Sequence, residues 1–239
     1  MIDLHSHILP ALDDGAPDDA TALDMARQAV ADGISLMVAT PHYANGLGPS
    51  DPAVVTASAT RFQALLDAEA IPLRIRCSME MPLLDNLVSL YRSGTWLAYD
   101  ASRRYVLFEM PPYGPRPFDI LCKTVSTLHL FGVTPVLAHP ERLPFLSALP
   151  DVRRLVRLGA RIQVTAWAVD APTPDGERAR AWLDDGLVAC VATDCHDAAR
   201  RPPRLSTARD FIAGHYGQAA AEALTLTNPR LILDGAPLP

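Results

Sequence analysis

The sequence predicts an α/β fold closed into a barrel of seven strand–helix units, on three observations. Short aliphatic runs alternate with amphipathic segments, and glycine, proline and aspartate mark the segment ends. Ligand-type side chains recur just past the C-terminal end of most runs. Alternation of this kind builds a parallel sheet, and β/α barrels carry their sites at the strand C-termini. An open doubly wound sheet is the rival that periodicity alone does not exclude; the placement of the polar residues favours the barrel.

The predicted strands are residues 1–4, 36–39, 73–77, 105–108, 135–138, 161–164 and 188–192, β-branched or aliphatic through most of their length. Strands covered on both faces read this way. Between them lie predicted helices at 18–31, 52–69, 117–130, 151–158, 176–184 and 206–215. Pro17 and Asp18 announce the first helix, while Gly33, Gly132 and Gly159 follow three of them. The 22 prolines are spread along the chain and tend to follow apolar runs, where elements stop. Only residues 235–239 read as a tail, so 1–239 is expected to form one domain of about 240 residues.

Bulk properties narrow the function. A net charge of −6 offers no basic stripe, which argues against a nucleic-acid partner. Phosphate chemistry on an acidic protein needs local positive charge, which bound metal ions supply. Cys77, Cys122, Cys190 and Cys195 form no CxxC pair, so neither a disulfide framework nor a structural zinc site is expected. The N-terminus lacks a signal-peptide pattern, and no run reaches the roughly 18 to 20 apolar residues of a membrane span. A cytoplasmic protein without membrane insertion is expected; its oligomeric state is left open.

The chemistry is carried by the residues just past the strands. The first strand runs into His5-Ser6-His7 and Asp13-Asp14-Gly15, the second into Thr40-Pro41-His42, the third to Glu80 and the fourth to Glu109. The fifth ends in His139-Pro140-Glu141-Arg142 and the seventh in Thr193-Asp194-Cys195-His196. A buried carboxylate costs several kcal/mol unless a counter-charge is present, and a cluster of divalent cations would satisfy Glu80, Glu109 and the histidines together. In extended chain, residues i and i+2 face the same way, so His5 with His7, and Asp194 with His196, are each spaced to share an ion. Mixed imidazole and carboxylate donors suit Mn, Fe or Zn, and about nine ligands call for two or three ions.

The plainer readings differ by residue. A single strand-end histidine is more often a solvated or satisfied side chain than a ligand. That reading is taken for His129 and His215, which fall in helical patterns. Asp13 or Asp14 is equally at home as the turn residue before Gly15, with Asp14 slightly favoured as the ligand. Glu141 is read as solvated or paired with an arginine, Arg142 as a phosphate contact, and Arg200-Arg201 as either a solvated loop or part of the site. Trp96 and Trp182 read as packing, Trp167 as a candidate pocket wall. Cys195 and Arg201 stand in the Cys-x5-Arg spacing of cysteine-dependent phosphatases, but no glycine lies between them to let a loop wrap a phosphate. The match is read as coincidence.

His5, His7, Asp14, His42, Glu80, Glu109, His139, Asp194 and His196 resemble the ordered metal-ligand motifs of the PHP superfamily, named for polymerase and histidinol phosphatase domains. The wording "MIDLHSHILPALDDGA", "TPHY", "AHPER", "TDCH" followed by "RPP", and "NPRLIL" is similar to that of the bacterial PHP-type protein-tyrosine phosphatases of capsule and exopolysaccharide synthesis. The resemblance implies a distorted (β/α)7 barrel, a manganese-preferring metal cluster, and dephosphorylation of an autophosphorylating tyrosine kinase. Residue by residue it makes Arg142 and Arg201 the phosphate contacts. Two departures stand out: Ala11 occupies a position where glycine is frequent, and 163–169 matches less well.

The resulting expectation is phosphomonoester hydrolysis by a metal-held hydroxide without a covalent intermediate, with Arg142 and Arg201 stabilising the equatorial oxygens. His42 or His196 is a candidate proton donor if free of metal. The rivals are a phosphatase for histidinol phosphate or a nucleotide, and a catalytically silent metal-binding regulatory module.

Overall fold

The computed structural model describes residues 1–44, 48–84, 86–110 and 118–239. Its strands are β1 (Ile2–Ser6), β2 (Leu36–Ala39), β3 (Arg74–Cys77), β4 (Met81–Pro82), β5 (Tyr105–Glu109), β6 (Thr134–Ala138), β7 (Arg161–Thr165) and β8 (Val188–Ala192). They pair in parallel as β1-β2-β3 and as β4-β5-β6-β7-β8.

Among the described residues eight strands appear where seven were expected, because the third is broken. The Ser78 and Glu80 N–H groups donate to Ala39 O (2.9 Å) and Pro41 O (3.1 Å), prolonging the pairing along β2. The Leu83 N–H then donates to Glu109 O at 2.8 Å, so the chain crosses from β2 to β5 within a few residues. At the other seam, the Asp194 N–H donates to His5 O and the His7 N–H to Cys195 O, each at 2.9 Å. These two bonds, with the Ser6–Cys195 bridge, close the last strand onto the first. The parallel α/β barrel is therefore seven-membered and distorted at both seams.

The anticipated helices are present as α1 (Asp19–Ala31), α2 (Pro52–Ala68), α4 (Phe118–Leu130), α5 (Leu149–Arg157), α7 (Pro174–Asp184) and α8 (Ser206–Tyr216). Pro117, the expected start of α4, lies outside the described residues. Asp18 caps α1 by accepting from Thr21 N at 2.8 Å, and Asp51 caps α2 by accepting from Ala53 N at 2.8 Å ahead of Pro52. Four further helices were not anticipated: α3 (Leu87–Arg92), α6 (Ala166–Asp170), α9 (Gln218–Glu222) and α10 (Asn228–Leu233). All four are shorter than two turns and leave no readable period. Pro229 falls in the first turn of α10, where its missing N–H is tolerated, directly after a widened π-helical turn at Ala223–Thr227. Asn228 Nδ2 donates to Ala189 O at 2.8 Å and ties this turn to β8.

The main core lies between strands and helices, with Trp96 and Trp182 buried in it as packing residues. A smaller cluster draws alternate positions from several strands (Ile2 and Leu4, Tyr105 and Leu107, Val136 and Ala138) and is plugged by Ile232 and Leu233 of α10. The buried histidines and carboxylates gather past the strand C-termini. Among the described residues no helix is long and apolar enough to cross a membrane.

Candidate active site

Each strand delivers its polar residue to the same end of the barrel. His5 lies near the end of β1 and His7 just past it; both are buried. His42 and Glu80 face each other across an isolated bridge where the third strand breaks, and Glu109 ends β5. His139 and Asp194 follow β6 and β8 in left-handed conformations, φ 34° and 52°. Such backbone costs of order 1 to 3 kcal/mol in a non-glycine residue and persists where the surroundings over-determine it. Here it turns two strand ends inward.

The side chains converge tightly. Glu80 Oε2 has His5 Nε2 and His42 Nδ1 each at 3.2 Å and His7 Nε2 at 3.5 Å, while Glu80 Oε1 lies 2.9 Å from His139 Nε2. Asp194 Oδ1 lies 3.3 Å from both His5 Nε2 and His7 Nε2. Asp14 Oδ1 is 3.5 Å from His42 Nε2 and from His196 Nε2, and Glu109 Oε1 is 3.5 Å from His42 Nδ1. These atoms form four overlapping groups of metal-ligand geometry: His7 with Asp14, His42 and His196; His5 with His7 and Glu80; His5 with His139 and Asp194; His42 with Glu80 and Glu109. All nine anticipated ligands take part.

Charges shape the titration of the cluster. Burial pushes the Glu80 carboxyl up, but His5, His139 and His7 outweigh it and hold it well below its ordinary range. Burial likewise pushes Asp194 up, and His5, His7 and Arg142 hold it well below. The hydrogen bond from His196 leads the forces that bring Asp14 down to about 2. Burial lowers the His5 imidazole, yet Glu80 and Asp194 keep it raised overall.

The donor set fits a group of divalent cations. Glu80 Oε2 is buried and, among the described residues, makes no hydrogen bond, although imidazole nitrogens crowd round it. The His5 and His7 Nε2 atoms face each other at 3.2 Å. Lone pairs and carboxylate oxygens pointed at one another are satisfied by cations between them.

A surrounding set of groups, not anticipated from sequence, fixes these imidazoles. His7 Nδ1 donates to Asp13 Oδ2 at 2.6 Å, and Asp13 also accepts from the Gly15 and His42 N–H groups. Asp13 thus supports a candidate ligand, and Asp14 faces the cluster. Gly15 is demanded by closeness, since a Cβ there would lie 2.0 Å from His7 O. His5 Nδ1 donates to Gln163 Oε1 at 2.9 Å. The signal for such supports was only their proximity to ligands, in the turn after β1 and on the inner face of β7.

Asp194 and His196 approach each other to 3.7 Å (His196 Nδ1 to Asp194 Oδ1), and each also joins a separate group, Asp194 with His5 and His139, and His196 with His7, Asp14 and His42. One expectation is corrected. Glu141 is fully buried, not solvated: its Oε1 accepts from Thr165 N (2.8 Å) and Thr165 Oγ1 (2.5 Å), and Arg178 reaches its backbone carbonyl instead of its carboxylate. Both ring nitrogens of His42 face acidic oxygens, while His196 has Nε2 against Asp14 and Nδ1 against Asp194 O (3.0 Å). Cys195 is buried, and burial drives its thiol far above the usual range, away from the thiolate a nucleophile needs. His215 stacks on Phe211 away from the site, and His129 packs beside Gly159.

Arg142 and Arg201 both donate to Asp194 Oδ2, each at 2.5 Å, on the side opposite the histidines. Beside them opens a cavity of about 600 Å³ lined by Arg142, Arg200, Arg201, Arg204, Trp167 and Asp170, among others. Trp167 is 43% exposed, and the Arg142 guanidinium lies 5.8 Å from its ring centroid. Arg200 and Arg201 are thus both cavity residues, and Arg204 joins them without having been anticipated.

Residues 1–234 match the family described as capsular polysaccharide synthesis, CpsB/CapC. The chain belongs to this family. The CpsB/CapC relatives include the tyrosine-protein phosphatase YwqE of Bacillus subtilis, 33% identical over 98% of this chain and 91% of the relative. The tyrosine-protein phosphatase CpsB of Streptococcus pneumoniae is 30% identical over 98% of both chains. A solved structure from work on YwqE and CpsB as metal-dependent tyrosine phosphatases superposes with a TM-score of 0.91 at 30% identity, covering 100% of this chain and 96% of that one. The Escherichia coli phosphotriesterase homology protein shares the fold alone, with a TM-score of 0.63 at 11% identity over 95% and 96% of the two chains.

Proposed function

We propose that this CpsB/CapC chain is a metal-dependent protein-tyrosine phosphatase, acting as a single domain over residues 1–239. One observation carries the reading: a buried carboxylate oxygen, Glu80 Oε2, with no hydrogen bond among the described residues but three imidazoles around it, beside two arginines converging on Asp194 at the mouth of a cavity. His5, His7, Asp14, His42, Glu80, Glu109, His139, Asp194 and His196 would hold two or three divalent ions, preferably Mn2+, with Glu80 shared between groups. Such ions lower the pKa of bound water and neutralise phosphoryl charge.

The protein's own groups do the rest. Asp194 presents Oδ1 to His5 and His7 and Oδ2 to Arg142 and Arg201, so it couples the ligand cluster to the phosphate clamp. The two guanidiniums orient the phosphoryl group and stabilise its equatorial oxygens. His42 and His196 have their ring nitrogens engaged, and a phenolate, being a good leaving group, needs little protonation. No covalent intermediate is required, since the buried Cys195 thiol takes no part. The substrate class rests on the YwqE and CpsB relatives: a phosphotyrosyl protein of capsule or exopolysaccharide assembly, most simply a tyrosine autokinase with its kinase face in the cytoplasm. Turnover of a phosphotyrosyl peptide, a phosphoseryl peptide and histidinol phosphate, with and without Mn2+, tests this. Manganese-dependent hydrolysis of the first well above the others is expected; preference for histidinol phosphate would overturn the protein-phosphatase reading.

A further inference from the structure

The cavity carries more positive charge than one phosphate needs. Among the described residues, four guanidiniums line it (Arg142, Arg200, Arg201 and Arg204) against a single lining carboxylate, Asp170, on a chain whose net charge is −6. Asp194 engages Arg142 and Arg201. Among the described residues neither Arg200 nor Arg204 forms an ion pair, and both are exposed. An anion docking on them would displace no internal partner.

The loop that carries them is built to hold its shape. Asp197 Oδ1 accepts from the N–H groups of Ala199 (2.7 Å) and Arg200 (2.5 Å). At the far end Asp32 Oδ2 accepts from Leu205 N (2.6 Å) and Ser206 N (2.8 Å), and Pro202 and Pro203 stiffen the stretch between. Pre-organised donors lose less freedom on binding than mobile ones.

We propose that Arg200 and Arg204 form a second anion subsite, which selects phosphotyrosyl segments bearing another negative group close to the scissile phosphotyrosine. The class of ligand is an acidic peptide; the second group is a carboxylate side chain or a second phosphate ester. This rests on the phosphotyrosine reading of the site, and it sets Arg200 and Arg204 apart from Arg142 and Arg201, which take the scissile phosphate.

The test uses the full-length, metal-loaded protein and four phosphotyrosyl peptides of one backbone. The residue beside the phosphotyrosine is glutamate, glutamine, tyrosine or phosphotyrosine. Each variant is read as a ratio of kcat/KM between charged and neutral peptides, so a general loss of activity cancels. Two exposed charge-assisted contacts together support a preference of roughly tenfold, carried by KM and fading as salt is added. Arg200→Gln with Arg204→Gln should bring the ratio close to one, with single changes in between. The glutamate and phosphotyrosine arms show which anion the subsite prefers. An unchanged ratio in the double variant, or no preference in the wild type, overturns the proposal. Phenyl phosphate turnover separates the two readings, because its absence defeats the phosphatase assignment itself. In that event, equilibrium binding of the same peptides carrying a non-hydrolysable phosphonate decides the subsite by the same ratio.

Discussion

His7 Nδ1 donates to Asp13 Oδ2 across 2.6 Å, which leaves Nε2 of the same ring pointing into the cluster. Burial raises the Asp13 carboxyl, but its hydrogen bond with His7 prevails and keeps it lowered, ready to accept. A carboxylate behind a metal-ligating imidazole fixes tautomer and orientation, and its loss typically costs about 10- to 100-fold in metal affinity. Asp13→Asn should weaken Mn2+ binding by that order in a calorimetric titration, with the far-ultraviolet spectrum unchanged. Wild-type affinity in this variant would reduce Asp13 to a turn residue.

Metal removal should cost stability as well as activity. A ligand that binds only the folded state at roughly a hundred times its Kd contributes about 2.7 kcal/mol. Melting curves with and without Mn2+ should therefore differ by several degrees, and Glu80→Ala should abolish the difference. Metal analysis should find two or three ions per chain; identical curves and one ion or none would sink the cluster.

The buried thiols should be bystanders. Burial pushes Cys190 up to about 12 and Cys195 higher still, so neither presents a thiolate near neutral pH. Cys195→Ser should keep most turnover, iodoacetamide should inhibit little, and chelators should abolish activity. Loss of turnover in Cys195→Ser with full metal content would reinstate a cysteine mechanism.

Removing either clamp arginine should expose the phosphate's dependence on it. A charge-assisted contact that strengthens in the transition state is worth about 2 to 4 kcal/mol, or roughly 30- to 1000-fold. Arg142→Ala and Arg201→Ala should each lower kcat/KM for a phosphotyrosyl substrate by that order. Arg27, paired with Glu69 on the distant surface, supplies the control: Arg27→Ala should change little. Equal activity in all three would leave phosphate binding to the metals alone.

Ala11 sits at φ 55°, in the left-handed region where a side chain strains the backbone. Ala11→Gly should stabilise the fold by about 0.5 to 1 kcal/mol, the relief of strain exceeding the added freedom of the unfolded chain. The denaturant midpoint measures it, and a lower midpoint would contradict the strain.

The ligand cluster was legible in the sequence because its chemistry is dense and ordered. Five histidines placed after four aliphatic runs are hard to account for without a shared cation, and all nine anticipated residues meet in groups able to hold one. What sequence hid was geometry without a period. The left-handed turn at Asp194 has no sequence period, yet it accompanies Asp194 Oδ1 reaching His5 and His7 while His196 Nε2 meets Asp14. Glu141 looked like surface charge because its partner, Thr165, comes from another strand. Arg204 was invisible as a pocket residue, since only the fold of the loop after β8 brings it beside Arg201.

The closing seam of the barrel has a consequence in time. His5 and His7 come from the first strand, Asp194 and His196 from just beyond the last, and Asp3 binds Thr193 across a sequence separation of 190 residues. His5 and His7 can meet Asp13 and Glu80 from their own half of the chain, but they gain Asp194 only when the eighth strand is in place. Such distant pairing is slow to form. A chain truncated before β8 is therefore expected to lack turnover, because Asp194, His196 and Arg201 all lie beyond that strand.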